Sequence, residues 1–383
     1  MPKLVNFSPF PNLRYYSWDN RKQEFGIVIV KGTYCLAPSG SLLIAEEQAP
    51  LVFTDLCHGA VNVTSVRHPS DLVPNKPRTD VIVNSIARAP GGVPKTSWQC
   101  GIGVGGAKPL QKVLTVTGPR EWRPRWKREL SETQKAEWRE YREDFESWAL
   151  SEPEPITELP IHFEYAYGGL LTRRDDEGKE VIDTNQHNPI GRGWLDPKWT
   201  DATKPQPAPQ IELLGDPIRD PYKRNAPQSL GPIPPAWLPR RPLGGTYDKH
   251  WQENVWPGWA EDYSFAYHNS AHPDLIVDGY LRGDEPIQLA GCCADKPMVS
   301  FSLPGDTMIV DFARADGVVE RMPMNLDTLY IDAADEDVRE WRFMLSWRVN
   351  FEPDMFTEAR TVLQSARRHG GQRLSGMEEE QSA

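Results

Sequence analysis

Proline and glycine interrupt this chain so often, 36 and 29 times in 383 residues, that most of it can be built only from short segments and turns. What lies between the interruptions is β-branched and aromatic. Residues 25–34 read Phe-Gly-Ile-Val-Ile-Val-Lys-Gly-Thr-Tyr, which predicts a strand buried on both faces. Pro38-Ser39-Gly40-Ser41 then makes a turn, and Leu42-Leu43-Ile44 reads as the return arm of a hairpin. Further strands are expected over 80–86, 110–117, 161–167, 283–289, 298–303, 307–312 and 328–331. A last one, 341–349, places Trp341, Phe343, Leu345, Trp347 and Val349 on one face. The expected class is therefore mainly β.

One segment departs from this pattern. Residues 131–148 contain no Pro or Gly, and Ser131 followed by Gln134 fits a capping box at a helix start. Trp138, Tyr141, Phe145 and Trp148 then fall three, four and three apart, the spacing of one helix face. The spacing predicts an inserted amphipathic helix. Its aromatic face would either pack on the β-core or form a ridge for a partner. A short C-terminal helix is expected from Pro353-Asp354 to about Arg368, followed by a disordered tail with Gly370-Gly371 and Glu378-Glu379-Glu380.

These expectations divide the chain into a β-rich region 1–122, an inserted helical region 123–155, and a second β-rich region 156–350. A helix and tail over 351–383 complete it. The two β-rich regions read as sandwich-like halves. Within the second, residues 171–260 lack periodicity, yet Trp194, Trp199, Trp237, Trp251, Trp256 and Trp259 point to long loops pinned to a core.

Charge narrows the function classes. A formal net charge of −11 with no basic stripe makes a poor nucleic-acid binder, because such affinity depends on neutralising phosphates. Anionic membrane surfaces are disfavoured for the same reason. No apolar run reaches the ~20 residues that span a bilayer, and the N-terminus lacks a secretory apolar core, so the expected location is the cytoplasm. Five irregularly spaced cysteines (Cys35, Cys57, Cys100, Cys292 and Cys293) argue against a disulfide framework and fit a reducing compartment, and the adjacent Cys292 and Cys293 read as buried free thiols.

Candidate catalytic and metal motifs fail on context. Gly101-Ile102-Gly103-Val104-Gly105-Gly106-Ala107-Lys108 resembles a phosphate loop, but Pro109 and a β-type run follow where a helix is needed. The glycines read instead as close-packed strand positions. His272-Pro273-Asp274 matches a co-chaperone tripeptide without the flanking helices. His268 and His272 stand four apart on a segment that looks extended, with no further ligand in register. Asp284-Glu285 would point to opposite faces of a strand, unsuited to paired acid–base work. No cofactor, no metal and no enzymatic activity is expected.

Several motifs, in order, resemble a bacterial family long catalogued only as a domain of unknown function. They are Val30-Lys31-Gly32-Thr33-Tyr34, Ser70-Asp71-Leu72 with Lys76-Pro77 and Thr79-Asp80-Val81, and Ala89-Pro90-Gly91-Gly92. Val116-Thr117-Gly118-Pro119-Arg120 with Trp122, Tyr165-Ala166-Tyr167-Gly168-Gly169 and Asn188-Pro189-Ile190-Gly191-Arg192-Gly193 follow. Gly245-Thr246-Tyr247-Asp248 with Trp251, Leu281-Arg282-Gly283-Asp284-Glu285 and Leu303-Pro304-Gly305 close the set. The family is encoded beside VgrG spike proteins, PAAR tip proteins and toxic effectors of type VI secretion.

The resemblance implies an adaptor or chaperone that binds a toxic effector, with its PAAR region, and helps load it onto the VgrG spike, alone or with a co-chaperone. It carries no catalytic residues. The region around 126–148 is an insertion relative to the family pattern, so it is a candidate for partner choice. Tyr247, Trp251 and Trp256 join the aromatic helix face as expected contacts. The main rival is a carbohydrate-active enzyme or glycan-binding module, which requires aromatic platforms and two carboxylates about 5–10 Å apart. A structural component travelling with the spike is a third reading.

Overall fold

The structure is a computed structural model and describes residues 2–19 and 21–365. Its largest sheet runs in the order Glu158–Pro160, Asp80–Arg88, Asn325–Ala333, Arg342–Phe351, Glu24–Leu36, Asn12–Trp18, with Leu42–Ile44 also pairing onto Glu24–Leu36. Asp80–Arg88 and Asn325–Ala333 are parallel, and the other neighbours are antiparallel. A five-stranded antiparallel sheet covers one face, in the order Ile211–Leu213, Leu110–Thr117, Ser97–Val104, Pro286–Ala290, Met298–Ser302. Phe301 and Phe343 meet across the two layers with ring centroids 4.7 Å apart. The fold is mainly β, as the punctuation predicts, and none of the sheets closes into a barrel.

Both large sheets draw strands from both β-rich regions. Asp80–Arg88 joins Asn325–Ala333, and Ser97–Val104 joins Pro286–Ala290. The picture of two sandwich-like halves is therefore corrected. A 13-residue strand buried on both faces, Glu24–Leu36, needs neighbours on both edges, and the Arg342–Phe351 segment supplies the longest matching ladder.

The expected long helix is also corrected. The capping box forms: Ser131 Oγ accepts from Gln134 N at 3.3 Å, and Gln134 Oε1 accepts from Ser131 N at 3.0 Å. However, the α-helix covers only Glu132–Ala136, a 3₁₀ stretch Trp138–Asp144 follows, and Phe145–Leu150 is a strand paired with Glu121–Trp126. A bulge between Arg125 and Trp126 adds one residue to the ladder. That lets Phe145 and Trp148, an odd number apart, meet edge-to-face at 5.7 Å. Spacing that mimics a helical face is thus satisfied by a bulged hairpin.

The C-terminal helix is replaced by strand Glu358–Gln364, which fills the gap between Lys3–Phe7 and Thr307–Ala313 in a four-stranded sheet with Val319–Pro323. Ala359 and Thr361 are buried and Arg360 exposed, a two-residue period that the ladder on both edges enforces. The predicted tail lies outside the described residues. Over 161–167, Phe163–Tyr165 is a 3₁₀ turn, Ala166 makes a single parallel bridge to Ile211, and the two-residue strand Tyr167–Gly168 pairs in parallel with Arg192–Gly193.

Candidate protein-binding surface

The large sheet has two unlike faces. Val30, Gly32 and Tyr34 stand opposite Trp347, Leu345 and Phe343, and this apolar face packs on the five-stranded sheet. One residue out of phase, Lys31, Ser346, Thr328 and Asp80 form a row across four adjacent strands on the other face. All four are buried. Lys31 Nζ donates to Asp71 Oδ2 at 2.9 Å and to His68 Nε2 at 3.1 Å. Arg348 donates to the Asp71 carbonyl, the Tyr15 hydroxyl and Asp327 Oδ2, the last at 2.7 Å. Thr328 links Asp327 to Lys76, whose Nζ donates to Asp80 Oδ2 at 2.9 Å.

Electrostatics follow from this burial. Burial works against the Arg348 charge, yet Asp327, Tyr15 and Asp71 together raise its pKa. Burial lowers His68 to about 4, and the Lys31 ammonium beside it adds to the effect. Neutral His68 fits its contacts, with Nδ1–H donating to the Pro69 carbonyl at 2.7 Å and Nε2 accepting from Lys31. Lys31, Asp71, Lys76 and Asp80 belong to the motifs that carry the family resemblance, so those motifs build the polar layer.

That layer moors the long loops. Asn269 Nδ2 and Ser270 N donate to Asp80 at 2.9 Å each, and Arg240 Nε donates to the Tyr267 carbonyl at 3.0 Å. Above this anchor an aromatic stack rises, with Phe265 against Phe25 at 6.1 Å and Trp259 against Tyr263 at 4.3 Å. His268, hydrogen-bonded to the Tyr263 hydroxyl, is lowered to about 3 by burial and then by Arg240. At the top, Tyr247 and Trp251 meet edge-to-face at 4.8 Å, and Trp251 Nε1 donates to the Gly258 carbonyl at 2.8 Å. Asp262 accepts from Thr246 N and Oγ1, closing the loop base. Tyr247 is 52% exposed and Trp256 64% exposed, while Trp251 is half-buried. Two large rings thus face solvent from a braced frame, the condition for an interface anchor.

The four residues predicted on a helix face lie elsewhere. Trp138 and Trp148 are buried in a second, small core with Trp122, Tyr167, Leu195 and Ile218. Phe145 packs against that core, and Tyr141 is half-buried beneath the Arg128 guanidinium at 5.6 Å. They hold the insertion together and present little free ring surface.

Sequence reasoning missed another exposed apolar segment. Phe53, Leu56, Val61, Val63 and Leu72 are all exposed, at 62%, 37%, 70%, 64% and 38%. The backbone ties this segment down through Asp71 N to the Val52 carbonyl at 2.7 Å. Ser65 fastens the loop by donating to Glu164. A signal was present: six large apolar residues within 53–72 follow neither a regular two-residue nor a 3.6-residue period, and of these only Val66 is buried.

Two crevices bear on small-molecule chemistry. One is a cavity of about 10 Å³ beside His58 and His162, whose rings stack at 3.6 Å; its walls include Arg67, Asn84 and Phe163. The other, about 300 Å³ and open, lies over Gln288, Ser300 and Gly40. Neither is lined by a carboxylate or a tryptophan, so neither supplies what the carbohydrate reading requires. Among the described residues no group of three metal-ligating side chains converges. His272 caps the turn Pro273–Leu275, and Asp274 accepts from Lys112 at 2.8 Å. A Cβ at Gly101 would lie 2.4 Å from the Lys112 carbonyl, a close strand approach as expected. No helix among the described residues is long and apolar enough to cross a membrane.

A family model described as an uncharacterized protein conserved in bacteria matches residues 21–348. No curated protein and no solved structure matches the chain.

Proposed function

The chain belongs to the DUF2169 family of uncharacterized bacterial proteins, and from that premise we propose that it is a cytoplasmic adaptor for a type VI secretion effector. It binds the effector with its PAAR region and helps load it onto the VgrG spike. The observation that carries this reading is two exposed rings on one loop: Tyr247, packed against the anchored Trp251, and Trp256, whose backbone N donates to the Trp251 carbonyl. The ordered motifs from Val30-Lys31-Gly32 to Leu303-Pro304-Gly305 support it. A ring held in place, as Tyr247 is against Trp251, loses little freedom on contact, so its burial converts efficiently into affinity.

Co-expression with candidate PAAR and effector proteins from the same genome, followed by affinity capture, tests the proposal. A complex is expected with the native chain and its loss with Tyr247→Ala/Trp256→Ala. No complex with any of these partners, together with unchanged effector secretion after deletion of the gene, would overturn it.

A further inference from the structure

We infer that Cys100 and Cys292 form an oxidative cross-linking site, in which a peroxide converts two buried thiols into a disulfide. The two are 192 positions apart in sequence, yet their Sγ atoms lie 3.8 Å apart. Cys100 sits in the strand Ser97–Val104, and Cys292 follows directly after Pro286–Ala290, whose Ala290 stands opposite Gly101. The turn is seated against the strand because residue 291 is glycine. A Cβ there would lie 2.1 Å from the Gln99 carbonyl, and its φ of +70° disfavours other residues. Arg88 clamps the same turn, donating from its backbone N to the Gly291 carbonyl at 2.8 Å and from its guanidinium to the Cys292 carbonyl at 3.0 Å.

The pair is unlike in its two members. Hydrogen bonding from Cys100 lowers the Cys292 pKa against its burial, with the Arg88 charge assisting, whereas Cys100 is raised by that same hydrogen bond and by burial. Cys292 is thus the thiol that reacts first. Its thiolate sulfur attacks one oxygen of hydrogen peroxide, the O–O bond breaks, and a sulfenic acid and water form once hydroxide takes up the thiol proton. Cys100 Sγ then attacks the Cys292 sulfur, the S–O bond breaks, and the hydroxyl leaves as water with the Cys100 proton. Two thiols and one peroxide give one disulfide and two waters. Both cysteines are buried, so a water-sized oxidant is the suitable class.

The cross-link would join neighbouring strands and close a loop of 192 positions, about half of the 383-residue chain, restricting the unfolded chain. The test treats the native full-length protein with hydrogen peroxide, alkylates it after denaturation, and maps peptides without reduction. Expected are a Cys100–Cys292 linked peptide and a thermal midpoint higher by roughly 5–10 °C, reversed by dithiothreitol. Cys293→Ala should leave the link intact and Cys292→Ala should abolish it. If the Cys292→Ala chain does not fold, fragment masses from the native protein assign which of the adjacent thiols is linked. Recovery of Cys100 and Cys292 as alkylated thiols while Cys35 or Cys57 is oxidised would overturn the inference, as would linkage of Cys100 through Cys293.

Discussion

The two faces of the large sheet bury comparable rows of residues by opposite means. On one, Val30, Tyr34, Phe343 and Trp347 exclude water through apolar packing against a second sheet. On the other, Lys31, Thr328, Asp80 and Arg348 are just as buried, but beneath irregular loops, and each is held by charge-assisted hydrogen bonds. Apolar contacts are non-directional, so they suit a sheet laid on a sheet. Loops carry unpaired backbone groups and need partners with direction, which Asp80 supplies to Ser270 N and Asp71 to Val52 N. The difference explains how long segments without regular structure can support exposed Tyr247 and Trp256.

The sharpest way to break this comparison is Asp327→Ala. It leaves Arg348 buried without its closest carboxylate and should destabilise the protein by about 4 kcal/mol in urea unfolding. Adding Arg348→Met should recover much of that loss, since the pair together contributes far less than either uncompensated charge costs. A double variant as unstable as the sum of the two singles would contradict the account. On the apolar face, Leu345→Ala should cost about 3 kcal/mol, with no neighbouring substitution that restores it except one refilling the volume.

Acid should separate the faces next. His68 is held at about 4, below the ~6.5 of an unfolded chain. The unfolded state therefore binds its proton first as pH falls. The stability this group contributes is complete above about 6.5, drains away between 6.5 and 4, and changes no further below. His68→Gln should flatten the pH dependence across that window by about 2 kcal/mol, seen as a smaller drop in thermal midpoint between pH 7 and 4.5. An unchanged pH profile would show that His68 is not the responsive group. The smallest stability effect belongs to Trp256→Ala. It should move unfolding by less than about 0.5 kcal/mol while abolishing partner capture, since little of this ring is buried in the free chain.

Much of the fold was legible because strand signals are local. The runs at 25–34, 80–86 and 110–117 correspond to Glu24–Leu36, Asp80–Arg88 and Leu110–Thr117. The helix over 131–148 misread a spacing that a bulged hairpin satisfies equally well, and the predicted C-terminal helix is a strand because two strand edges were waiting for it. Of the proposed contact residues, Tyr247 and Trp256 are exposed, Trp251 braces them, and the aromatic residues of the insertion are largely committed to its own small core.

By itself, then, the amino-acid order marked the β class and the strands with strong local signals, such as Glu24–Leu36, Asp80–Arg88 and Leu110–Thr117, since turn residues and β-branched runs act over a few positions. It also supplied the motif residues Lys31, Asp71, Lys76 and Asp80, without indicating that they would meet. Pairing across hundreds of positions, which set Asp80–Arg88 beside Asn325–Ala333 and Cys100 beside Cys292, was decided only in the tertiary structure. So was the exposure of each tryptophan: an indole is equally at home in a core or at an interface, and only the packing around it says which.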